Sequence, residues 1–313
     1  MRKILIAAFV LVVVAGGGAY WYANDRARAL VDERIDEMVA SGAYDSASYE
    51  SLNVGLTGDI TLTNVNIVQG PLDYTVQNIT VTNLDYANEF PRHIDVNVKG
   101  LRVAQLGNTD DPGAAALGAM LQNLPADEYI PLELDYQHLY DPDNAHQLDS
   151  TMRLTIPEFF TLDTSSTTRN IEMQTLDQLN NADPLIAQQQ LMALMQAAEL
   201  PSMSMTLQDH GIVDDMLAAS AAGNGVSPED FRRLLVSQAQ NFYLFLPQNA
   251  QAFAMAAGME MAEFLEGGKT LTVSVNPEYG GSFQRLQQEA MGAFLTGDYG
   301  KISELLHLQI ETN

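Results

Sequence analysis

The sequence predicts an α+β protein with a single N-terminal transmembrane helix, an antiparallel β-rich first half and a helix-rich second half. Three observations carry this. Residues 4–23 hold no charge, residues 48–106 alternate apolar and polar side chains, and residues 184–295 show mostly helical spacing.

The run Ile4–Ala23, ILIAAFVLVVVAGGGAYWYA, has 20 residues. At about 1.5 Å per residue it spans the ~30 Å hydrocarbon core of a bilayer. Ile4, Phe9 and Val13 are expected inside the lipid. Tyr20, Trp21 and Tyr22 are expected at the far interface, where aromatic belts form. Arg2 and Lys3 precede the run, which places the N-terminus in the cytoplasm. Gly17-Gly18-Ala19 would also suit a cleaved signal peptide. Three aromatics directly afterwards favour an anchor, and either reading exports the body. The expected divisions are an anchor over 1–24, a juxtamembrane helix over 25–46, an antiparallel β-rich region over 47–160 and a helix-rich α+β region over 161–313.

Ala27–Ala40 reads as a helix with Leu30, Ile35 and Met38 on one stripe, ended by Ser41-Gly42. The period then becomes two. Leu52, Val54, Leu56, Ile60 and Leu62 alternate, and the phase flips to Val65 and Ile67, as a bulge or register change would cause. Tyr74, Val76, Ile79, Val81, Leu84, Ile94, Val96, Val98, Leu101 and Val103 complete four or five strands, punctuated by Gly58, Gly70-Pro71, Asn88–Pro91 and Gly100. Gly113–Leu124 reads as a short helix. Leu132, Leu134 and Tyr136, then Met152, Leu154 and Ile156, flank the turn signal Asp141-Pro142-Asp143-Asn144. Residues 161–182 are polar and indecisive, and make the best domain boundary. Helices are expected over 184–199, 212–222 (ended by Gly223), 228–245, 248–266 and 282–295, with strands over 202–207 and 270–275 and a closing strand over 305–310. Ser227-Pro228-Glu229-Asp230 is a strong helix start.

Of 313 residues 46% are apolar, enough for a sizeable core. Acids number 40 against 15 bases, a net charge of −25. That balance excludes a nucleic-acid partner, which needs a basic footprint. It equally disfavours an anionic membrane surface, and speaks to solubility or a salty medium. With no cysteine there are no disulfides, no thiolate zinc site and no thiol catalysis.

The search for chemistry finds no catalytic motif. Gly267-Gly268-Lys269-Thr270 resembles a phosphate loop in letters only, because a helix precedes it and a strand follows; it reads as a helix cap. Asp141, Asp143, Asn144 and Asp149 could ligate calcium, but His146 and Met152 stand where the calcium-hand pattern needs glycine and glutamate. A hairpin turn explains the same residues. His93, His138, His146, His210 and His307 are scattered without metal-ligand spacing. No cofactor, metal or catalytic residue is therefore expected. Methionine is frequent, at 14 residues that include Met192, Met195, Met203, Met205 and Met216. Thioethers fill irregular cores or line adaptable apolar surfaces. Met255, Met259, Met261 and Phe264 on the 248–266 helix are the candidate lining of an apolar groove.

Three stretches together carry a resemblance. They are Tyr49-Glu50-Ser51 with Gly58-x-x-x-Leu62-x-Asn64-Val65-x-Ile67, Lys99-Gly100-Leu101, and Leu207-x-Asp209-x-Gly211 before an Ala-rich helix. The arrangement resembles the YdgA-type bacterial envelope proteins and, more distantly, the AsmA-like group. The resemblance implies a single-pass protein of the bacterial inner membrane with its body in the periplasm. For the AsmA-like group it implies envelope maintenance and lipid handling in a β-lined groove. The expected function is non-enzymatic envelope maintenance with a lipid ligand. The alternative is an accessory subunit of a larger envelope assembly, with other envelope proteins as partners.

Overall fold

The computed structural model describes residues 23–313, except 41, 43, 56–57, 71, 86–90, 107–128, 173–192, 195–196, 278–280, 297 and 299. It is a mixed α/β structure with a large antiparallel β-sheet and several helices. The chain divides into two compact units, Met1–Leu139 and Tyr140–Asn313.

The first unit opens with helix α1 (Ala23–Ala40). Val31 and Ile35, one turn apart, form its buried stripe, and the helix stops before Gly42, whose φ is 75°. The Tyr49 hydroxyl donates to Asp32 at 2.6 Å and ties α1 to the chain beside the sheet. Partial burial and that hydrogen bond push the phenol up to about 12.

Strands β1 (Ser46–Ser48) and β2 (Ser51–Val54) both pair with β3 (Ile60–Gln69). β3 pairs with β4 (Leu72–Thr82), β4 with β5 (His93–Leu106), and β5 with β6 (Ile130–Asp141), all antiparallel. The period-two alternation over residues 48–106 therefore forms four strands, β2–β5. Threonine and β-branched residues suit such half-buried ladders.

The expected phase flip in β3 is present, and it is shared by three strands. On one side of it Ile60, Leu62, Ile79, Val81, Val96 and Val98 are buried; on the other side Val65, Ile67, Tyr74, Val76 and Leu101 are. The pairing does not slip: Thr63 faces Asn78 and Val65 faces Val76. The change falls on one cross-strand row, Asn64, Gln77 and Gly100, where Asn64 has φ 46° and Gly100 has φ 67°. Left-handed residues turn β3 and β5 locally, and the β5–β6 pairing shifts register here between Lys99 and Leu101, so the buried set changes parity while the β3–β4 pairing stays in step. Gly100, expected to separate two strands, instead sits inside β5. Asn64 is held from both sides, donating to Glu50 and accepting from the Tyr129 hydroxyl at 2.8 Å.

His138 lies near the end of β6, with Nε2 3.3 Å from the Pro91 carbonyl. Burial holds this imidazole below its usual value, and His93 adds to the effect; the Pro91 contact and Asp95 oppose it. A histidine whose folded value is depressed contributes stability that is present above the unfolded value of about 6.5. That contribution is lost as pH falls toward and through the folded value. His138→Gln keeps a donor for Pro91 without the titration. The stability gap between wild type and variant should shrink between pH 7.5 and pH 5 in chemical denaturation. A constant gap would mean that His138 titrates as it does in the unfolded chain.

The second unit holds β7 (Gln147–Ile156), β8 (Phe160–Arg169), β9 (Glu199–Asp209), β10 (Thr270–Val275) and β11 (Gln309–Thr312) in sequential antiparallel order. The polar stretch expected to be a boundary is in part strand β8, paired on both sides. Its threonines suit a strand, and the hydroxyl-rich composition hid the alternation. Helices α2 (Ile212–Asn224), α3 (Pro228–Asn241) and α4 (Gln248–Leu265) separate β9 from β10; α5 (Phe283–Thr296) and α6 (Gly300–Leu306) precede β11.

Several boundaries move. α2 runs through Gly223 and is closed by Gly225, whose left-handed φ of 67° the cap requires. α3 stops at Asn241, followed by a 3-10 turn over Phe242–Phe245. Leu305 and Leu306 complete α6, so the closing strand starts later, at Gln309. Ser227 caps α3 as expected, its hydroxyl accepting from the Asp230 amide at 3.1 Å. The expected helix over 113–124 and most of that over 184–199 lie outside the described residues.

Candidate functional site

The five strands of the second unit sort their side chains by chemistry. Directly opposed residues on antiparallel strands share a face. One row across the sheet is Leu154, Leu162, Leu207, Leu271 and Thr312. The next is Met152, Thr164, Met205, Val273 and Ile310, and the next Ser166, Met203 and Val275. The opposite face carries Arg153, Asp163, Thr206, Thr272 and Glu311 in one row, with Ser165, Ser204, Ser274 and Gln309 beside it. Arg153 pairs with Asp163 at 2.6 Å, and the Thr206 and Thr272 hydroxyls lie 3.0 Å apart. The sheet is apolar on one side and hydroxyl-lined on the other.

The apolar side is incompletely covered. Leu154 is buried, whereas Met205 is 39% and Met203 42% exposed. Coverage is clear at the β10–β11 edge, where the C-terminal half of α4 lies against Thr312. The Thr312 amide and hydroxyl donate to the Glu260 carboxylate and carbonyl, each at 2.7 Å. Exposed methionines on an aliphatic face offer a soft, adaptable surface to an apolar ligand.

The groove residues expected on α4 do not share a face. Met255 and Met259, one turn apart, are 45% and 59% exposed, Met261 is 37% exposed, and Phe264 is buried. The buried stripe of α4 is made of small residues, Ala250, Ala254, Gly258 and Ala262. The sequence shows Met203 and Met205 but not their alignment with Val273 and Val275, because three helices separate β9 from its partner β10 along the chain. The residues expected in a membrane anchor, Ile4, Phe9, Val13, Tyr20, Trp21 and Tyr22, lie outside the described residues, as do Met192 and Met195. Among the described residues no helix is long and apolar enough to cross a membrane.

The calcium candidates build the β6–β7 turn. Asp141 accepts from the Asp143 amide at 3.0 Å, Asn144 donates to Gln147 at 3.2 Å, and Asp149 accepts from Gln147 at 2.8 Å and from Thr167 at 2.6 Å. His146 lies 2.8 Å from the Tyr140 hydroxyl, and His210 lies 3.0 Å from that of Thr161. Among the described residues no three His, Cys, Asp or Glu side chains converge as a metal site. Gly267-Gly268 closes α4, with the Gly268 amide donating to the Glu263 carbonyl at 3.1 Å; it presents no phosphate cradle.

Fold and site together define a mixed α/β protein built on an amphipathic antiparallel sheet with a half-open apolar face. A family model described as "Uncharacterized protein" matches residues 153–313, just over half of the chain, and the chain belongs to that family. The match takes in nearly all of the β7–β11 sheet. No curated protein matches the chain.

Proposed function

We propose that the protein is a membrane-anchored, non-enzymatic protein of the bacterial envelope whose body lies in the periplasm and holds a lipid chain on the apolar face of β7–β11. The observation that carries this reading is the cluster Met205, Val273 and Ile310 beside Met203 and Val275, bordered on β8 by Thr164 and Ser166, on a face where Met203 and Met205 remain exposed. The uncharged run over residues 4–23 supports the anchor, and the resemblance to YdgA-type and AsmA-like envelope proteins supports the lipid. The division proposed with it is an anchor over 1–24, a juxtamembrane helix over 25–46 and a body behind them.

An acyl chain laid on this face gains about 0.8 kcal/mol for each methylene it buries, so a moderately long chain would bind without any polar anchor. The full-length protein, gently solubilised from membranes, should carry lipid at near one-to-one stoichiometry by native mass spectrometry. Met205→Asp places a charge in the middle of the face and should cut that occupancy at least tenfold, while Thr206→Asp on the hydroxyl face should leave it unchanged. Lipid-free protein, or equal occupancy in both variants, would sink the reading. Protein partners at fixed stoichiometry without lipid would make it instead an accessory subunit of an envelope assembly.

A further inference from the structure

The 3-10 turn between α3 and α4 is the most exposed apolar feature among the described residues. Phe245 is 84% exposed, Leu244 59% and Phe242 53%. The turn is well built rather than frayed: the Leu246 amide donates to the Tyr243 carbonyl at 3.1 Å, and Gln251 donates to the Leu246 carbonyl at 3.1 Å. The two helices behind it are packed at close range, since a Cβ on Gly258 would lie 2.2 Å from the Ala239 carbonyl oxygen.

Charge supplies the second observation. Residues 234–259, LLVSQAQNFYLFLPQNAQAFAMAAGM, contain no Asp, Glu, Lys, Arg or His over 26 positions. With 40 acids and 15 bases in 313 residues, this is the longest charge-free stretch of the chain. The charges resume at the base of the hairpin, with Arg232 and Arg233 paired to Asp214 and Asp230 and with Glu260 bound to β11. Glutamine and asparagine flank the aromatic tip at residues 238, 240, 241, 248, 249 and 251.

We propose that this tip is a lipid-contacting element: Phe242, Leu244 and Phe245 insert into the interfacial layer of a membrane of neutral headgroups. Aromatic and aliphatic side chains flanked along the chain by uncharged amides, with one carboxylate, Asp298, accepting from Asn249 at 2.8 Å, match the boundary between headgroups and acyl chains. A protein partner is the weaker match. Interface cores set arginine among their aromatics to fix orientation, and no cation lies between Arg233 and Lys269. The net charge of −25 directs the tip to zwitterionic lipid, because an anionic surface would repel the body around it. The inference does not use the sheet face and stands or falls separately from the lipid-holding role.

The absence of cysteine makes the test direct. Full-length Phe245→Cys and, as a second probe, Leu244→Cys each carry a single thiol for an environment-sensitive fluorophore. Asp143→Cys, in the exposed β6–β7 turn, provides the control in the same reconstituted phosphatidylcholine vesicles. The labels at 244 and 245 should shift to the blue and be quenched several-fold more by spin-labelled lipid than by aqueous iodide, with the reverse at 143. Iodide-dominated quenching at 244 and 245, equal to that at 143, would overturn the proposal and return the tip to the role of a protein-docking knob. Lipid occupancy of the sheet face is read by a different experiment, so failure of one leaves the other intact.

Discussion

Gly258→Ala should destabilise the second unit by about 1–3 kcal/mol, while the same substitution at Gly223 should be neutral or stabilising by up to about 1 kcal/mol. Both glycines lie inside helices, where alanine is the better helix former. The difference lies in what each faces. A Cβ at Gly223 meets nothing within 4 Å, whereas one at Gly258 would lie 2.2 Å from the Ala239 oxygen and 3.2 Å from its carbonyl carbon. Backbone cannot rotate aside as a side chain can, so α3 and α4 must separate. Separation opens the small-residue seam of Ala250, Ala254 and Ala262 against α3, and loses van der Waals contact along it. Urea denaturation of the two variants measures the contrast. Gly258→Ala as stable as wild type would mean that the helices do not cross at this separation.

Gly100→Ala should cost about 2–5 kcal/mol, combining roughly 1–2 for a left-handed L-residue with roughly 1–3 for overpacking. The added Cβ would lie 2.6 Å from Gln77 Oε1 and 2.8 Å from Gln77 Cβ. The first contact can be relieved by a rotamer change; the second cannot, because Cβ is fixed by the backbone. Gln77→Ala should therefore rescue little, and Gln77→Gly should recover the steric part while leaving the cost of φ 67°. The double-mutant cycle separates the two causes. Because this row is where the buried set changes parity, the damage should reach both clusters: Ile79, Val81 and Val98 on one side, and Val76 and Leu101 on the other. Hydrogen exchange across β4 and β5 would show whether protection is lost on both sides of the row or only near Gly100.

Much of the first unit is legible in the sequence because its signal is local. Alternating Ile, Val and Leu separated by threonine and asparagine can satisfy a ladder in only one way, and even the phase flip at Asn64 is visible as a break in that alternation. The Ser227 cap and the Gly267-Gly268 stop are equally local, resting on the side chain of one residue and the φ of another. Strand β8 was not legible. Phe160, Leu162, Thr164 and Ser166 alternate against Asp163 and Ser165, but hydroxyls stand on both sides and blur the contrast. With β8 unread, the leucine row through Leu154, Leu162, Leu207 and Leu271 had a gap at Leu162.

The sequence by itself determined most of the element types, the acidic composition, the absence of thiol chemistry and the charge-free run over 234–259, since periodicity, composition and capping act within a few residues. Only the tertiary structure decided which apolar residues are covered. Met255 and Phe264 are both apolar and lie on the same helix, yet one faces outward and the other is buried. Met203 and Met205 become a surface only because Val273 and Val275 come to lie beside them across about 70 residues of chain. Burial depends on what packs from a distance, and no local pattern encodes that partner.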